Sequence, residues 1–272
     1  MMKERIGVAV IAKNEADRIG RLLQSVSFAD RILVVDSGSS DGTQEICRRA
    51  GATVIQQEWM GYAAQKQFAM DQLDTEWILS LDADEAVSPE LAGEIQLAVS
   101  HAEGAISGFS MPRLSKYLGR WIYHGGWYPD RKVRLIRRGK ARWSQEALHE
   151  RLLLEGPIRE LKNPIFHFVY RDISDHVATI DRFSDIYAQD RGQAGALFLL
   201  AGLPHTFGKW IECYFLKLGF LDGLPGLVIA MNSAWYVFLK HAKAWALGAS
   251  GGGVKAPDGG DLDAYGHSRA DP

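Results

Sequence analysis

Short apolar runs and helically spaced stretches alternate through the first third of the chain, and each run stops at small polar or acidic residues. Ile6–Ala12 (I-G-V-A-V-I-A) predicts a buried parallel strand, with Lys13-Asn14-Glu15 as the loop beyond it. Ile19, Leu22, Leu23 and Val26 give Ala16–Ser27 the spacing of a helix. Arg31–Val35 predicts a second strand, which runs into Asp36-Ser37-Gly38-Ser39-Ser40-Asp41-Gly42-Thr43 and a helix over Gln44–Ala50. Thr53–Gln56 predicts a short third strand, Tyr62–Asp71 a helix, and Trp77–Leu81 a fourth, buried strand. This β-α-β-α order with polar strand ends predicts an α/β fold, with a doubly wound sheet in its first half.

The fourth strand leads into Asp82, Asp84 and Glu85, three carboxylates expected together at its C-terminal end. Open α/β sheets bind ligands at that edge. Carboxylates so close repel each other unless a cation lies among them, and hard oxygen donors suit Mg²⁺ or Mn²⁺. A solvated acidic loop capping the helix that starts at Ser88-Pro89-Glu90 is the plainer alternative. Asp36 can accept hydrogen bonds from a base or ribose, or it can hold a turn. Asp41 suits a helix cap. Lys66 could reach a diphosphate or sit solvated on its helix. Neither G-x-G-x-x-G nor a G-x-x-x-x-G-K loop is present.

Beyond the acidic end, Arg113–Arg142 holds ten cations against one acid, Asp130, interleaved with Trp121, Tyr123, His124, Trp127 and Tyr128. Such a mixture suits either single-stranded nucleic acid or a phosphorylated sugar. The net charge of −2 over 272 residues favours the sugar and argues against a nucleic-acid partner. Ile165–Val169 predicts a last strand, and Asp175–Arg191 a helix. Ala194–Leu203, Trp210–Leu221 and Leu224–Trp245 are apolar, with breaks expected at Pro204, Gly223 and Pro225. Aromatics beside Lys209, Lys217, Lys240 and Lys243 suggest interfacial contact with anionic lipid, or a helical subdomain packed on the sheet or on a second copy. The longest apolar run, Gly226–Leu239, has 14 residues, short of the ~20 a spanning helix needs. No signal peptide is recognisable, and Cys47 and Cys213 suggest neither a disulfide nor a zinc site. A cytoplasmic protein, peripheral at the inner face of the membrane, is expected. The Gly-rich stretch from Gly248 predicts a disordered tail.

I-A-K-N-E-A, V-V-D-S-G-S-S-D-G-T, G-Y-A-A-Q-K-Q-F-A and W-I-L-S-L-D-A-D-E occur in that order. Together they resemble the signatures of family-2 glycosyltransferases of the GT-A fold, and within them the bacterial lipopolysaccharide core β-1,4-glucosyltransferases. The resemblance implies a mixed, mainly parallel sheet flanked by helices, with a C-terminal helical, membrane-associating region. It divides the chain into a glycosyltransferase domain over 1–170 (nucleotide-sugar half about 1–100, acceptor half about 101–170), helices over 171–247, and the tail over 248–272. It implies a UDP-sugar donor contacted by Ala12, Asn14, Glu15, Asp36, Lys66 and Asp82. Asp82 and Asp84, with His149, would hold Mg²⁺ or Mn²⁺ on the diphosphate. Glu150, in a His-Glu pair resembling the family's, is the first choice of base; Asp130 is second and Glu146 third. Inverting transfer of glucose to a heptose on a lipid-linked oligosaccharide acceptor follows by resemblance alone. A nucleotidyltransferase and a non-catalytic, membrane-associated nucleotide-sugar-binding protein are the alternatives. Homo-oligomers are compatible with all three.

Overall fold

The computed structural model describes residues 6–144 and 151–249. Its first elements alternate as predicted: β1 (Ile6–Ala12), α1 (Ile19–Ser25), β2 (Arg31–Asp36), α2 (Thr43–Arg49), β3 (Thr53–Gln56), α3 (Tyr62–Asp71) and β4 (Trp77–Asp82). The four strands are parallel in the order β3-β2-β1-β4. Their continuous apolar sequences reflect burial on both faces. One face packs Val8, Val10, Val34 and Leu79 against Leu22 and Leu23 of α1; the other packs Ala9, Leu33, Val35 and Ile78 against Ala69 and Met70 of α3. Gly7 is required in β1, because a Cβ there would lie 2.4 Å from Thr75 Oγ1.

The chain continues through β5 (Glu85–Val87) and α4 (Pro89–Ser100). Ser88 Oγ accepts the Leu91 N–H at 3.2 Å and Pro89 opens the helix, as its sequence implied. Then come β6 (Gly108–Tyr117), β7 (Arg120–Trp121), β8 (Asp130–Arg137), β9 (Ala141–Trp143), β10 (Leu152–Leu154), β11 (Ile158–Glu160) and β12 (Ile165–His167). The large sheet extends from β4 as β4-β8-β6-β12-β5, with β8 antiparallel to β4 and β12 antiparallel to β5. The short strands β11 and β7 pair with β6, and β9 with β10 form a separate ribbon. The sheet is therefore mixed, with four parallel strands at the N-terminal side and β11 also parallel to β6.

Two compact units result. Among the described residues, 6–113 with 131–144 and 151–167 form the first; Leu114–Asp130 with 168–249 form the second. The second unit thus draws Leu114–Asp130 out of the expected acceptor half. It contains α5 (Ile173–Arg191), α6 (Ala196–Ile211), a π turn (Glu212–Leu216), a 3-10 turn (Gly219–Asp222) and α7 (Gly223–Ala249). Asp172 caps α5, accepting the Asp175 N–H at 2.8 Å. Tyr117, Ile122 and Ile229 form an apolar centre with Trp127 and Tyr170.

The expected helix breaks are corrected. α6 runs through Pro204, where the helix forgoes one backbone hydrogen bond and continues to Ile211, with Gly202 seated against the His241 ring of α7. Gly223 and Pro225 begin α7 instead of interrupting a helix, and proline is tolerated in a first turn, where the N–H has no intrahelical partner. The break falls earlier, at the π and 3-10 turns. Gly248 and Ala249 complete α7, and the rest of the expected tail lies outside the described residues.

Candidate active site

The ends of β1, β2 and β4 lie level at one sheet edge, since register pairs Ala12 with Asp36 and Ile11 with Asp82. The loops beyond are built from Asp36 and Asn14. Asp36 is fully buried. Its Oδ1 accepts the N–H groups of Gly38 and Ser39 at 3.0 and 2.8 Å and Gln44 Nε2 at 2.6 Å; its Oδ2 accepts Ser39 Oγ at 2.5 Å. Gly38 has φ +88°, which glycine adopts without strain. Both Asp36 oxygens are thereby engaged in the turn. Asn14 (φ 55°) donates its N–H to Ser39 Oγ at 2.8 Å and accepts the Ser40 N–H at 2.9 Å. Glu15 N–H reaches Thr43 Oγ1 at 2.8 Å, so the first two loops are laced together.

Glu15 is buried and takes Arg18 Nε and Nη2 at 2.7 and 2.9 Å. Arg18 Nη1 in turn lies 3.8 Å from Asp84 Oδ2, and His167 Nε2 approaches the same oxygen at 3.5 Å from the end of β12. Asp82 Oδ1 receives Lys66 Nζ at 2.8 Å, and Asp82 Oδ2 receives Arg134 Nη2 at 2.5 Å. Lys66 is thus buried, not solvated, and its ammonium also lies 4.8 Å from the centre of the Trp143 ring. Burial alone would raise the Asp82 carboxyl, but Arg134 and then Lys66 hold it well below the usual carboxylate range. Asp84 is also lowered: burial opposes, and the His167 hydrogen bond and charge prevail. Both acids are therefore anionic near neutrality.

Glu85 departs from expectation. It belongs to β5, is 1% exposed, and turns its carboxylate inward onto Arg134 Nη2 at 2.7 Å and Arg113 Nη1 at 3.5 Å. Its Oε2 also accepts the Asp82 N–H at 3.1 Å. The cation that three crowded carboxylates require is partly supplied by the protein, since Arg134 bridges Asp82 and Glu85. Arg134 Nε is buried without a hydrogen-bond partner.

These donors bear on whether a divalent ion fits. Among the described residues no group of three His, Cys, Asp or Glu side chains could hold one. Asp84 and His167 face each other as a hard oxygen and an imidazole, and Asp82 adds a second carboxylate at the same strand end. Two or three protein ligands, with phosphate oxygens and water completing the shell, is the way Mg²⁺ and Mn²⁺ are commonly held. The set fits such an ion only with substrate present.

Ala12, Asn14, Glu15, Asp36, Lys66, Asp82 and Asp84 thus gather at one edge. Glu146, His149 and Glu150 lie outside the described residues. Asp130 opens β8, half-buried, in the second unit. Sequence reasoning missed Arg18, Arg134 and His167. For Arg134 and His167 the signal was an ionisable residue inside an apolar strand, Val133-Arg134-Leu135-Ile136 and Ile165-Phe166-His167; Arg18, at the start of α1, carried none.

Comparison with known proteins fits this edge to a family. Residues 7–153 match the model of glycosyl transferase family 2. The lipopolysaccharide core biosynthesis glycosyltransferase LpsC of Rhizobium meliloti (strain 1021) is 30% identical over 248 residues, covering 87% of this chain and 90% of LpsC. An uncharacterized glycosyltransferase of Rickettsia bellii (strain RML369-C) is 44% identical over 265 residues, covering 89% and 87%. Among solved structures, residues 1–349 of S. aureus TarS align over 91% of this chain and 92% of that one, at 12% identity and a TM-score of 0.45. Glucosyl-3-phosphoglycerate synthase of Mycobacterium tuberculosis, solved with Mn²⁺, UDP and glucosyl-3-phosphoglycerate, aligns over 42% and 44%, at 19% identity and a TM-score of 0.35. The family match covers more than half of the chain and LpsC is matched along most of its length: this protein belongs to glycosyl transferase family 2 and is a glycosyltransferase with the GT-A fold.

Proposed function

We propose that the enzyme moves a sugar, glucose by preference, from a UDP-sugar to a heptose of a lipopolysaccharide core acceptor, with inversion at the anomeric carbon. The observation that carries the donor half is the cluster at the β4 edge. Two anionic carboxylates, Asp82 and Asp84, stand there among Lys66, Arg18, Arg134 and His167. A nucleotide diphosphate leaving group gathers negative charge as its bond to the sugar breaks. Fixed cations and a divalent ion lower that cost electrostatically. Asp84, with His167 or Asp82 as a second protein ligand and phosphate oxygens of the substrate, would hold Mg²⁺ or Mn²⁺, and the ion would supply Lewis-acid stabilisation of the diphosphate. Lys66 and Arg134 already neutralise Asp82 and keep it oriented. The acceptor half rests on relatedness to LpsC, which works in lipopolysaccharide core synthesis. Removal of the acceptor proton needs a carboxylate base. Glu150 remains the first candidate and Asp130 the second. Family membership sets aside nucleotidyl transfer and a purely binding role.

The test is UDP release from a panel of UDP-sugars, with Mn²⁺, Mg²⁺ or EDTA, with and without deacylated core oligosaccharide. One UDP-sugar should respond, only with metal, and faster with acceptor. Release that is indifferent to EDTA would overturn the metal assignment. Silence toward every UDP-sugar in a folded sample would overturn the donor assignment.

A further inference from the structure

The surface of α6 is at odds with its composition. It is apolar on nearly every side, yet only Gly202 among its residues is buried. Its exposed positions sweep about 200° of the circumference at 3.6 residues per turn. Leu197, Leu200, Leu203, Pro204 and Phe207 lie on this arc, and His205 is its one polar member. The turns that follow expose Phe215, Leu216, Leu218 and Leu221. α7 then presents an outward stripe through Leu224, Met231, Trp235 and Trp245 that contains no charged side chain. Contiguous apolar surface on this scale marks a contact with a partner or a membrane.

Three observations choose between occupants. First, a helix packed on a neighbour presents a stripe of roughly 100°. A second copy of this chain would cover about half of the α6 arc and leave the rest in water, whereas lipid wraps all of it. Second, the Ala194 N–H donates to the Ala244 carbonyl at 3.1 Å, and Gly202 abuts the His241 ring so closely that a Cβ would fall 2.6 Å from Cγ. The chain therefore enters and leaves the apolar pair on the same side. No single helix among the described residues is long and apolar enough to cross a membrane. Ala196–Leu216 and Gly219–Ala249 reach that length and hydropathy only together, bent by 67°, and the shared entry and exit side makes the pair re-entrant and not spanning. Third, the nearby lysines are committed. Lys209 and Lys217 pair with Glu212 at 3.0 and 2.5 Å, and Lys243 pairs with Asp181 and Asp185 at 2.6 and 2.7 Å. Lys240 lies over the Tyr187 and Tyr236 rings at 5.0 and 5.8 Å.

We infer that α6 and α7 form a monotopic anchor lying in the headgroup–acyl boundary of one bilayer leaflet, held by apolar insertion and not by attraction to anionic lipid. This replaces the expectation that lysines would draw the region to anionic headgroups. A helix pair of this kind binds in proportion to its buried apolar area, and salt does not screen that term.

The experiment is flotation of the full chain with vesicles of phosphatidylcholine alone and of phosphatidylcholine with phosphatidylglycerol, at about 0.1 M and about 1 M salt. Partition should agree within about twofold across all four conditions, whereas a purely electrostatic contact would collapse at high salt. The double variant Leu200→Glu/Phe207→Glu should lower partition at least about tenfold, since each side chain withdraws a large apolar group from lipid. Leu97→Glu, at an exposed position of α4 in the first unit, is the control and should float as the parent does. Quenching of tryptophan fluorescence by brominated lipid should fall in Trp235→Phe. Circular dichroism checks that each variant is folded. Binding confined to anionic vesicles at low salt would overturn the apolar mechanism. A parent that does not float but sediments as a dimer, dissociated by Leu200→Glu/Phe207→Glu, would assign the surface to a second copy. A monomer that ignores vesicles would overturn the anchor outright. The readout is partition, so it stands apart from any result on sugar transfer.

Discussion

Arg134 Nη2 alone bridges Asp82 and Glu85, and the Nε of the same side chain has no partner. That nitrogen is the nearest cation to both carboxylates, one of them almost wholly buried, with Lys66 also on Asp82 and Arg113 3.5 Å from Glu85. Removing it leaves buried Glu85 to the more distant Arg113, which costs up to about 3–5 kcal/mol. Arg134→Met should therefore lower stability by that order in urea unfolding, with the denaturant slope unchanged. Adding Glu85→Gln should recover part of the loss, because a neutral amide needs no counter-charge; no recovery would mean that Glu85 is not the stranded group. His167 is a different kind of residue. It touches Asp84 from the edge of the sheet and bears on ligand affinity more than on the fold. His167→Ala should raise the Mn²⁺ concentration for half-maximal UDP release about tenfold or more, while the melting temperature stays within a few degrees. An unchanged metal titration would remove His167 from the site.

The 3-10 turn ahead of α7 is fastened to the loop after β7 by one side chain. Asp222 is 2% exposed and accepts the N–H groups of Tyr123 and His124 at 3.1 and 2.7 Å, with His124 Nδ1 at 3.1 Å. The Gly125 N–H adds a bond to the Lys217 carbonyl at 2.8 Å. Asp222→Ala removes the acceptor of two part-buried donors, at up to about 1–3 kcal/mol each. It should speed hydrogen exchange at the Tyr123 and His124 amides ahead of those in α7, whereas His124→Ala, which keeps both backbone bonds, should not. Nothing in the sequence announced this clasp, because Asp222 and His124 are 98 positions apart. The contrast with β1 to β4 is instructive. Their identity was legible because burial on both faces writes a continuous apolar run, and Asp82 and Asp84 were legible because a strand end next to such a run is where ligands bind. Pro204 misled for the opposite reason: the local rule concerns one backbone bond, and α6 forgoes that bond and continues to Ile211. Glu85 misled because an acidic residue just beyond the end of β4 was read with its neighbours, while the short β5 turned it inward onto Arg134.

Among the acid-sensitive groups of the described residues, His176 in one unit and the Asp82–Asp84 pair in the other titrate in different pH windows. In the second unit His176 is buried, stacked on Tyr170 at 4.1 Å, with Tyr117 Oη at 2.8 Å and Asn232 Nδ2 at 2.9 Å, both converging on Nδ1. A nitrogen that faces two donors is unprotonated, and burial pushes the imidazole down to about 4 from its ordinary 6.5. The unfolded chain therefore binds a proton that the folded chain refuses. The stability this provides is complete above pH 6.5 and drains away as pH falls toward 4, by about 3 kcal/mol in total. In the first unit Asp82 and Asp84 are lowered from an ordinary 3.8. Their contribution is complete above that value and is lost only as pH falls below it. Urea unfolding from pH 8 to pH 3 should thus show two falls in stability, the earlier one due to His176. His176→Phe keeps an aromatic ring against Tyr170 and has nothing to protonate. It should be less stable than the parent at pH 7 yet flat between pH 6.5 and 4, with the lower fall intact. A parent already flat in that window would show that His176 takes up its proton without cost, and the buried neutral imidazole would have to be given up.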